Sequence, residues 1–208
     1  MSQFEIDNAP NRIIYLSSDI EVGNVSNVCK QILDVIAFDN AMLNKFRQYS
    51  IEPIQLHIQS FGGSIQDMWS IIDLIESSST PIITFCSGYC MSAAALIFLA
   101  GHYRYMYKHS TIMFHQMFVG NGGKIRDFQL DQQNFDDMHK DMMKYIKKHT
   151  KLGKKFFNKF DKKKEDVHLS AKECLKSGVC DRIIKKSDNR DVMLELMQES
   201  NDDCDCCW

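Results

Sequence analysis

Hydrophobic positions along this chain change period repeatedly. Ile13-Ile14-Tyr15-Leu16 is a short apolar run that predicts a buried strand, and Ser17-Ser18-Asp19 reads as a turn or helix start. Val25, Val28, Cys29, Ile32, Leu33 and Ile36 then recur at helical spacing and give one apolar face. After Pro53, Ile54-Gln-Leu-His-Ile58 alternates as a half-buried strand does, and it runs into the breaker cluster Ser60-Phe-Gly-Gly-Ser64. Ile65, Met68, Ile72 and Ile75 mark a second helix. Pro81 opens a strand over Ile82-Ile83-Thr84-Phe85 that is predicted to stop at Ser87-Gly88. Ser92 to Ala100 reads as a short apolar helix, with Gly101 placed for a left-handed cap. Thr111-Ile112-Met113-Phe114 is a third strand leading to His115. Strand, helix, strand, helix, strand is the alternation of an α/β domain whose connections cross a parallel sheet.

The character changes at Gly120-Asn-Gly-Gly123. Residues 124–149 contain neither Pro nor Gly, and Ile125, Phe128, Phe135, Met138, Met142 and Ile146 form a helical stripe. So much of this long helix is polar that it is expected to project from the core, its Met-rich stripe packing on its own domain or on a neighbouring subunit. Lys151-Leu-Gly153 ends it. Ser170 and Glu173 suit a capping box, the helix behind them stops at Gly178, and Val179 to Ile184 reads as a last strand. The segment after Lys185 is expected to form a short helix from Val192 to Met197 ahead of a disordered end.

Composition adds mainly exclusions. At 208 residues, 44% hydrophobic and 25% charged, the chain can bury one domain's core, and a formal net charge of −2 offers nothing to nucleic acid. The lysine-rich stretch 140–164 reads as a solvated helix face. The first residues lack a basic and an apolar region, and the longest apolar run, Ala93 to Ala100, falls far short of the ~20 residues that span a bilayer. A soluble, cytoplasmic protein is expected. The cysteines lack paired spacing, which suits buried thiols in a reducing compartment; Cys204, Cys206 and Cys207 sit in a polar tail with no histidine nearby.

Three positions combine reactive groups with unusual backbone. Ser92 opens an apolar helix after a sharp bend, beside N–H groups that lack an intrahelical acceptor and suit an oxyanion. Taken alone, a helix N-cap is the plainer role for it. His115 ends a strand at the edge where α/β sheets bind ligands, though a lone histidine there is more often structural. Asp166 precedes the capping box, where an acid is usually a surface charge. Periodicity does not bring the three together.

The run Cys86-Ser-Gly-Tyr-Cys-Met-Ser92-Ala-Ala-Ala-Leu-Ile-Phe-Leu-Ala-Gly101 resembles the nucleophile segment of ClpP, the proteolytic subunit of the Clp protease. Leu56-His-Ile-Gln-Ser-Phe-Gly-Gly-Ser64 is similar to that family's Asn-Ser-Pro-Gly-Gly loop, and Ile112-Met-Phe-His-Gln116 to its histidine strand. Asp166 through Asp181 resembles its acid segment; the four blocks keep family order over residues 12–186. The resemblance implies a ClpP/crotonase-like α/β fold, with repeated ββα units in a superhelical core and a projecting handle helix. In that division residues 1–11 are an N-terminal segment, 12–186 the peptidase domain with its handle near 118–160, and 187–208 a tail.

It further implies a serine endopeptidase with Ser92 as nucleophile, His115 as general base and Asp166 as orienting acid. Gly63 and Ala93 would supply the oxyanion hole, with Gly62 the alternative donor. Gly62, Phe118, Val119 and Gly120 would line the groove for an extended polypeptide substrate. Neither metal nor organic cofactor is implied, nor any membrane or nucleic-acid partner. The implied assembly is a homo-oligomer, a heptameric ring or double ring, served by an AAA+ unfoldase. The sequence departs from the family pattern at Phe61 (for proline), Ala93-Ala94 (for Met-Gly) and Lys164-Glu165 (for Asp-Arg). Other readings are an inactive structural subunit of a mixed ring and a phage-type prohead protease of the same fold. A signal-peptide peptidase or acyl-CoA enzyme of that fold, or Cys90 as nucleophile, completes the set.

Overall fold

The computed structural model describes residues 9–116 and 125–185, with side chains in the long helix from residue 135 onward. Phe118, Val119 and Gly120, the Gly120–Gly123 stretch and the segment after Lys185 lie outside the described residues.

Among the described residues, seven strands form one sheet: β1 (Ile13–Leu16), β2 (Ile54–Ser60), β3 (Ile82–Met91), β4 (Tyr103–Tyr107), β5 (Thr111–Phe114), β6 (Val167–Ser170) and β7 (Arg182–Ile184). The path runs β1-β2-β3-β4-β7, with β5 attached to β3 and β6 to β5. Every pairing is parallel except β5 with β6. The helices are α1 (Val22–Lys45), α2 (Ile65–Glu76), α3 (Ala93–Leu99), α4 (Ile125–His149), α5 (Lys154–Phe157) and α6 (Ala171–Lys176), with a π-helical turn at Asn158–Lys162. This is the α/β class expected, and no helix among the described residues is long and apolar enough to cross a membrane.

The periodicities explain who packs where. Val25, Val28 and Ile32 of α1 and Met68, Ile71, Ile72 and Ile75 of α2 are buried against the apolar face of the sheet. In β2, buried Ile54, Leu56, Ile58 and Ser60 alternate with more exposed residues. The first strand differs from expectation: Ile14 and Leu16 are buried, but Ile13 and Tyr15 are exposed, so β1 is covered on one face only. Helix α3 is buried at every residue, which an apolar run with no polar face requires.

Strand β3 runs past the expected stop at Ser87-Gly88. Gly88 takes φ +86, and beyond it the strand exchanges one neighbour for another. Residues Ile83–Cys86 pair with β4, whereas Tyr89–Met91 pair with β5. A bend that changes partners lets one strand belong to two parts of the sheet. Gly101 is also not a left-handed cap; among the described residues the positive-φ glycines are 62, 63, 88 and 178. A Cβ on Gly101 would collide with the Thr84 side chain, so close approach to β3 excludes a side chain there.

Two polar clusters fix the ends of the domain. Asp39 on α1, 1% exposed, accepts from the Arg12 guanidinium, the Tyr49 hydroxyl (2.6 Å) and the Thr80 hydroxyl (2.7 Å). Burial alone would raise its carboxyl pKa, but hydrogen bonds from Arg12, Tyr49 and Thr80 hold it below the ordinary 3.8. The stability this carboxylate contributes is therefore present above 3.8 and lost as pH falls through its lower folded value. Asp39→Ala leaves Arg12 half-buried without its counter-charge, and the expected loss is about 3–5 kcal/mol, read from denaturant unfolding at neutral pH. At the other end, Arg104 on β4 forks onto Asp181 (2.9 and 2.6 Å) and donates to the carbonyl of His149 (2.6 Å). That clamp pins the C-terminus of α4, where Met142, Met143, Tyr145 and Ile146 are buried in the core.

Candidate functional site

Strand β5 organises the site. On one side it runs parallel to the end of β3, with Met91 opposite Met113, and the Ser92 N–H donates to the Met113 carbonyl at 2.9 Å. On its other side it runs antiparallel to β6, with Phe114 opposite Val167. The next positions in that register are His115 and Asp166. Ser92 follows β3, His115 follows β5 and Asp166 precedes β6, so one sheet edge carries all three at the same end.

Ser92 occupies a strained turn between strand and helix, with φ +55 and ψ −124. Non-glycine residues reach that region only when their surroundings impose it, a condition that recurs at active sites. A strand-turn-helix of this kind presents a serine hydroxyl at the top of a sheet. Although Ser92 stands at the N-cap position of α3, its side chain makes no capping hydrogen bond, so the plainer N-cap role does not account for it. Ser92, Ala93 and His115 line one cavity of about 470 Å³. Its walls are mostly apolar, from Met68, Leu96, Phe114, Met138, Met142 and Phe160. A wider cleft of about 850 Å³ beside Arg12, Phe46 and Tyr49 includes Ser50 but no histidine, so volume alone does not mark reactive chemistry here.

His115 is half-buried. Burial lowers its pKa below the ordinary 6.5, while the negative charge of Asp166 acts in the opposite direction. The net effect favours the neutral imidazole, the form that can accept a proton near neutral pH. Asp166 is exposed. The adjacent Gln116 amide donates to the carbonyls of Phe160 (3.3 Å) and Asp161 (3.2 Å), tying the end of β5 to the π-helical turn that leads to Asp166.

The glycine loop lies against the serine turn. The Ile20 N–H donates to the Gly62 carbonyl (2.8 Å) and the Ser64 N–H to the Ile20 carbonyl (2.7 Å). In such a parallel bridge the intervening residue turns its own N–H to the opposite side, which places that of Gly63 away from Ile20. The Gly62 N–H is taken by Ser60 Oγ at 3.1 Å. Ala93 is the first residue of α3, so its N–H has no acceptor within the helix. Gly63 and Ala93 thus offer backbone donors along the cavity that holds Ser92, whereas Gly62 has already committed its own. Gly62 instead provides closeness: at φ +106, a Cβ there would meet the Met91 carbonyl and Ser92 Cβ, each at 2.8 Å.

Cys90 is fully buried, its Sγ directed to the Ile58 carbonyl at 3.5 Å, and burial followed by neighbouring Cys86 pushes its thiol pKa well up. It does not line the cavity, and a thiol so held is a poor nucleophile. Ala94, 0% exposed, packs into the core and accommodates its methyl without reaching the cavity. Sequence reasoning had no signal for Gln116 as a tether, because the carbonyls it reaches belong to a π-turn that no periodicity announces.

A serine, a basic nitrogen, an acid and two free amides at one edge can perform acyl transfer to a hydroxyl. The chain is 29% identical over 175 residues to ATP-dependent Clp protease proteolytic subunit 2 of Corynebacterium efficiens, covering 83% of this chain and 82% of that one. It is 29% identical over 177 residues to ATP-dependent Clp protease proteolytic subunit 3 of a Synechococcus species, with 83% and 82% covered. Proteolytic subunit 2 of Rhodococcus jostii is 26% identical over 178 residues, covering 85% of each chain. The Clp protease family matches residues 7–187, a span that contains the whole of the described fold and the four motif blocks, and the chain belongs to that family.

Proposed function

We propose that this chain is a serine endopeptidase in which Ser92 is the nucleophile, His115 the general base and Asp166 the acid that orients it. The observation that carries this reading is the pairing of β5 with β3 on one side and β6 on the other, which gathers the three residues at one sheet end. Ser92 Oγ attacks a peptide carbonyl as His115 takes its proton, and the tetrahedral oxyanion is held by the N–H groups of Gly63 and Ala93. His115 then protonates the leaving amine, the acyl-enzyme forms on Ser92, and water activated by the same imidazole releases the acid product. Each proton is returned within the cycle. Family membership supports this reading, as do relatives named as proteolytic subunits of an ATP-dependent protease.

The assembly belongs to the same proposal: a homo-oligomeric ring, heptameric or doubled, that receives polypeptides from an AAA+ unfoldase. Phe118, Val119 and Gly120 are proposed to continue the substrate groove from His115, beside Gly62.

The reading is tested by treating the purified protein with a fluorophosphonate and locating the adduct by mass spectrometry, with the native mass recorded alongside. A single adduct on Ser92 is expected. Peptide turnover by protein that carries its label elsewhere, or none, would refute the assignment. Gly62→Ala is expected to lower kcat by about 10²-fold with unchanged circular dichroism, because the added methyl displaces the loop that carries the Gly63 donor. Equal kcat in this variant and wild type would detach the loop from catalysis.

A further inference from the structure

Phe61 is the anomaly of the site. It is 62% exposed, a costly placement for a phenyl ring, yet it is not loose. Its ring stacks on Tyr89 with centroids 4.4 Å apart and planes inclined by 29°. Tyr89 lies on the part of β3 that pairs with β5, three residues before Ser92. On the other side of Phe61 stands Gly62, seated against the Met91 carbonyl and Ser92. The ring is therefore backed by one aromatic and anchored by a loop that touches the serine turn. Phe61 lines the same cavity as Ser92 and His115.

A rigid aromatic face beside a reacting centre loses little conformational entropy when a second apolar group covers it. It also favours an aromatic partner beyond simple area burial. We infer that Phe61, held by Tyr89, is a specificity-determining residue that receives a large apolar or aromatic side chain of the polypeptide substrate within two residues of the scissile bond. The inference rests on the peptidase reading above and adds which residue selects and what it selects. The occupant is argued from the surface itself: the ring continues into walls of Met68, Leu96 and Phe114, with no cationic or carboxylate side chain lining the cavity among the described residues. A charged substrate side chain would lose hydration there without a partner.

The test uses fluorogenic peptides in which each of the two residues on either side of the scissile bond is varied in turn among Ala, Leu, Phe and Asp. For wild-type protein, one position is expected to show a marked preference for Phe or Leu over Ala. In Phe61→Ala that preference, the ratio of kcat/KM for Phe over Ala, is expected to fall about tenfold, mainly through KM. Phe61→Leu should restore part of it, and Tyr89→Ala should weaken it by freeing the ring. A loss equal across all peptides, or no change in the ratio, overturns the inference, as does a native mass altered by Phe61→Ala, which would make the ring a subunit contact. A second arm measures binding of the same peptides, by fluorescence anisotropy, to Ser92→Ala and to Ser92→Ala/Phe61→Ala. Retained turnover in Ser92→Ala would count against the serine assignment alone. Equal discrimination by the two proteins, or none by either, counts against Phe61.

Discussion

Replacing Ser92 by alanine is expected to lower kcat for a fluorogenic peptide by on the order of 10⁶-fold, with no fluorophosphonate adduct. The size follows from what remains. Without the hydroxyl no acyl-enzyme forms, and the Gly63 and Ala93 amides can only stabilise direct attack by water, which leaves the residual of an oxyanion hole acting alone. His115→Ala should cost about as much, and the double variant little more, because the two residues act as one unit in a single proton transfer. The substitution is structurally mild: the anchor of the turn is the Ser92 N–H to the Met113 carbonyl, which alanine keeps. Circular dichroism and native mass should match wild type. Turnover within tenfold of wild type in either single variant would remove the nucleophile–base pair from consideration. A wild-type chain that never turns over peptides, but does so when mixed with a second subunit, would instead identify it as a structural member of a mixed ring.

How far the sequence announces this arrangement depends on the kind of signal each element carries. Alternation in Ile54–Ile58 and the apolar stripes of α1 and α2 are local, and the fold follows them at Val25, Val28, Ile32, Met68, Ile72 and Ile75; Leu33, expected on the same face of α1, is instead exposed, and Val35 is buried in the core. So is the Ser170–Glu173 capping box, which forms as its spacing predicts, the carboxylate accepting from the Ser170 N–H at 2.9 Å. The misplacements occur where tertiary neighbours decide. Ser87-Gly88 looks like a stop, yet β3 continues to Met91 because β5 supplies a new partner beyond the bend. Strand β4, Tyr103–Tyr107, and strand β6, Val167–Ser170, went without a prediction. In the first, tyrosines alternate at 103, 105 and 107 but the apolar Met106 between them breaks the two-sided pattern, and the second is only four residues long. Gly101 looks like a cap because of its distance from the helix, whereas the reason for glycine is Thr84, 17 positions away in the chain.

The site divides in the same way. Local context leaves Ser92, His115 and Asp166 with plainer roles, and only the family resemblance joins them as a set, without revealing proximity. Proximity depends on register, and register is fixed by β5 lying between two strands that come before and after it in the chain. The strained φ of Ser92 is likewise invisible in a string of letters, since serine has no propensity for that region. What favours Gly63 over Gly62 as the proposed oxyanion donor is one more hydrogen bond, from the Gly62 N–H to Ser60 Oγ. A serine two positions before a glycine is too common a pair to predict it.

Asp166→Asn makes the most discriminating second prediction, because it carries both a magnitude and a sign. The expected loss in kcat is on the order of 10³-fold, below the ~10⁴ associated with a buried orienting acid, since Asp166 is exposed and part of its field is screened by water. The sign comes from the two influences on His115. Burial lowers its pKa below 6.5 and the Asp166 charge opposes that shift, so wild-type activity, which needs the neutral imidazole, should persist somewhat below pH 6.5 before falling. Asparagine removes only the opposing influence. The imidazole pKa then drops further, and the acid limb of kcat/KM moves to lower pH even as the plateau falls. High salt should shift the wild-type limb the same way and leave that of the variant nearly fixed. A residue that merely supported the fold would lower the plateau without moving the limb. An acid limb that stays in place in Asp166→Asn, or moves to higher pH, would separate the carboxylate from the histidine and leave Ser92 and His115 to be explained as a dyad.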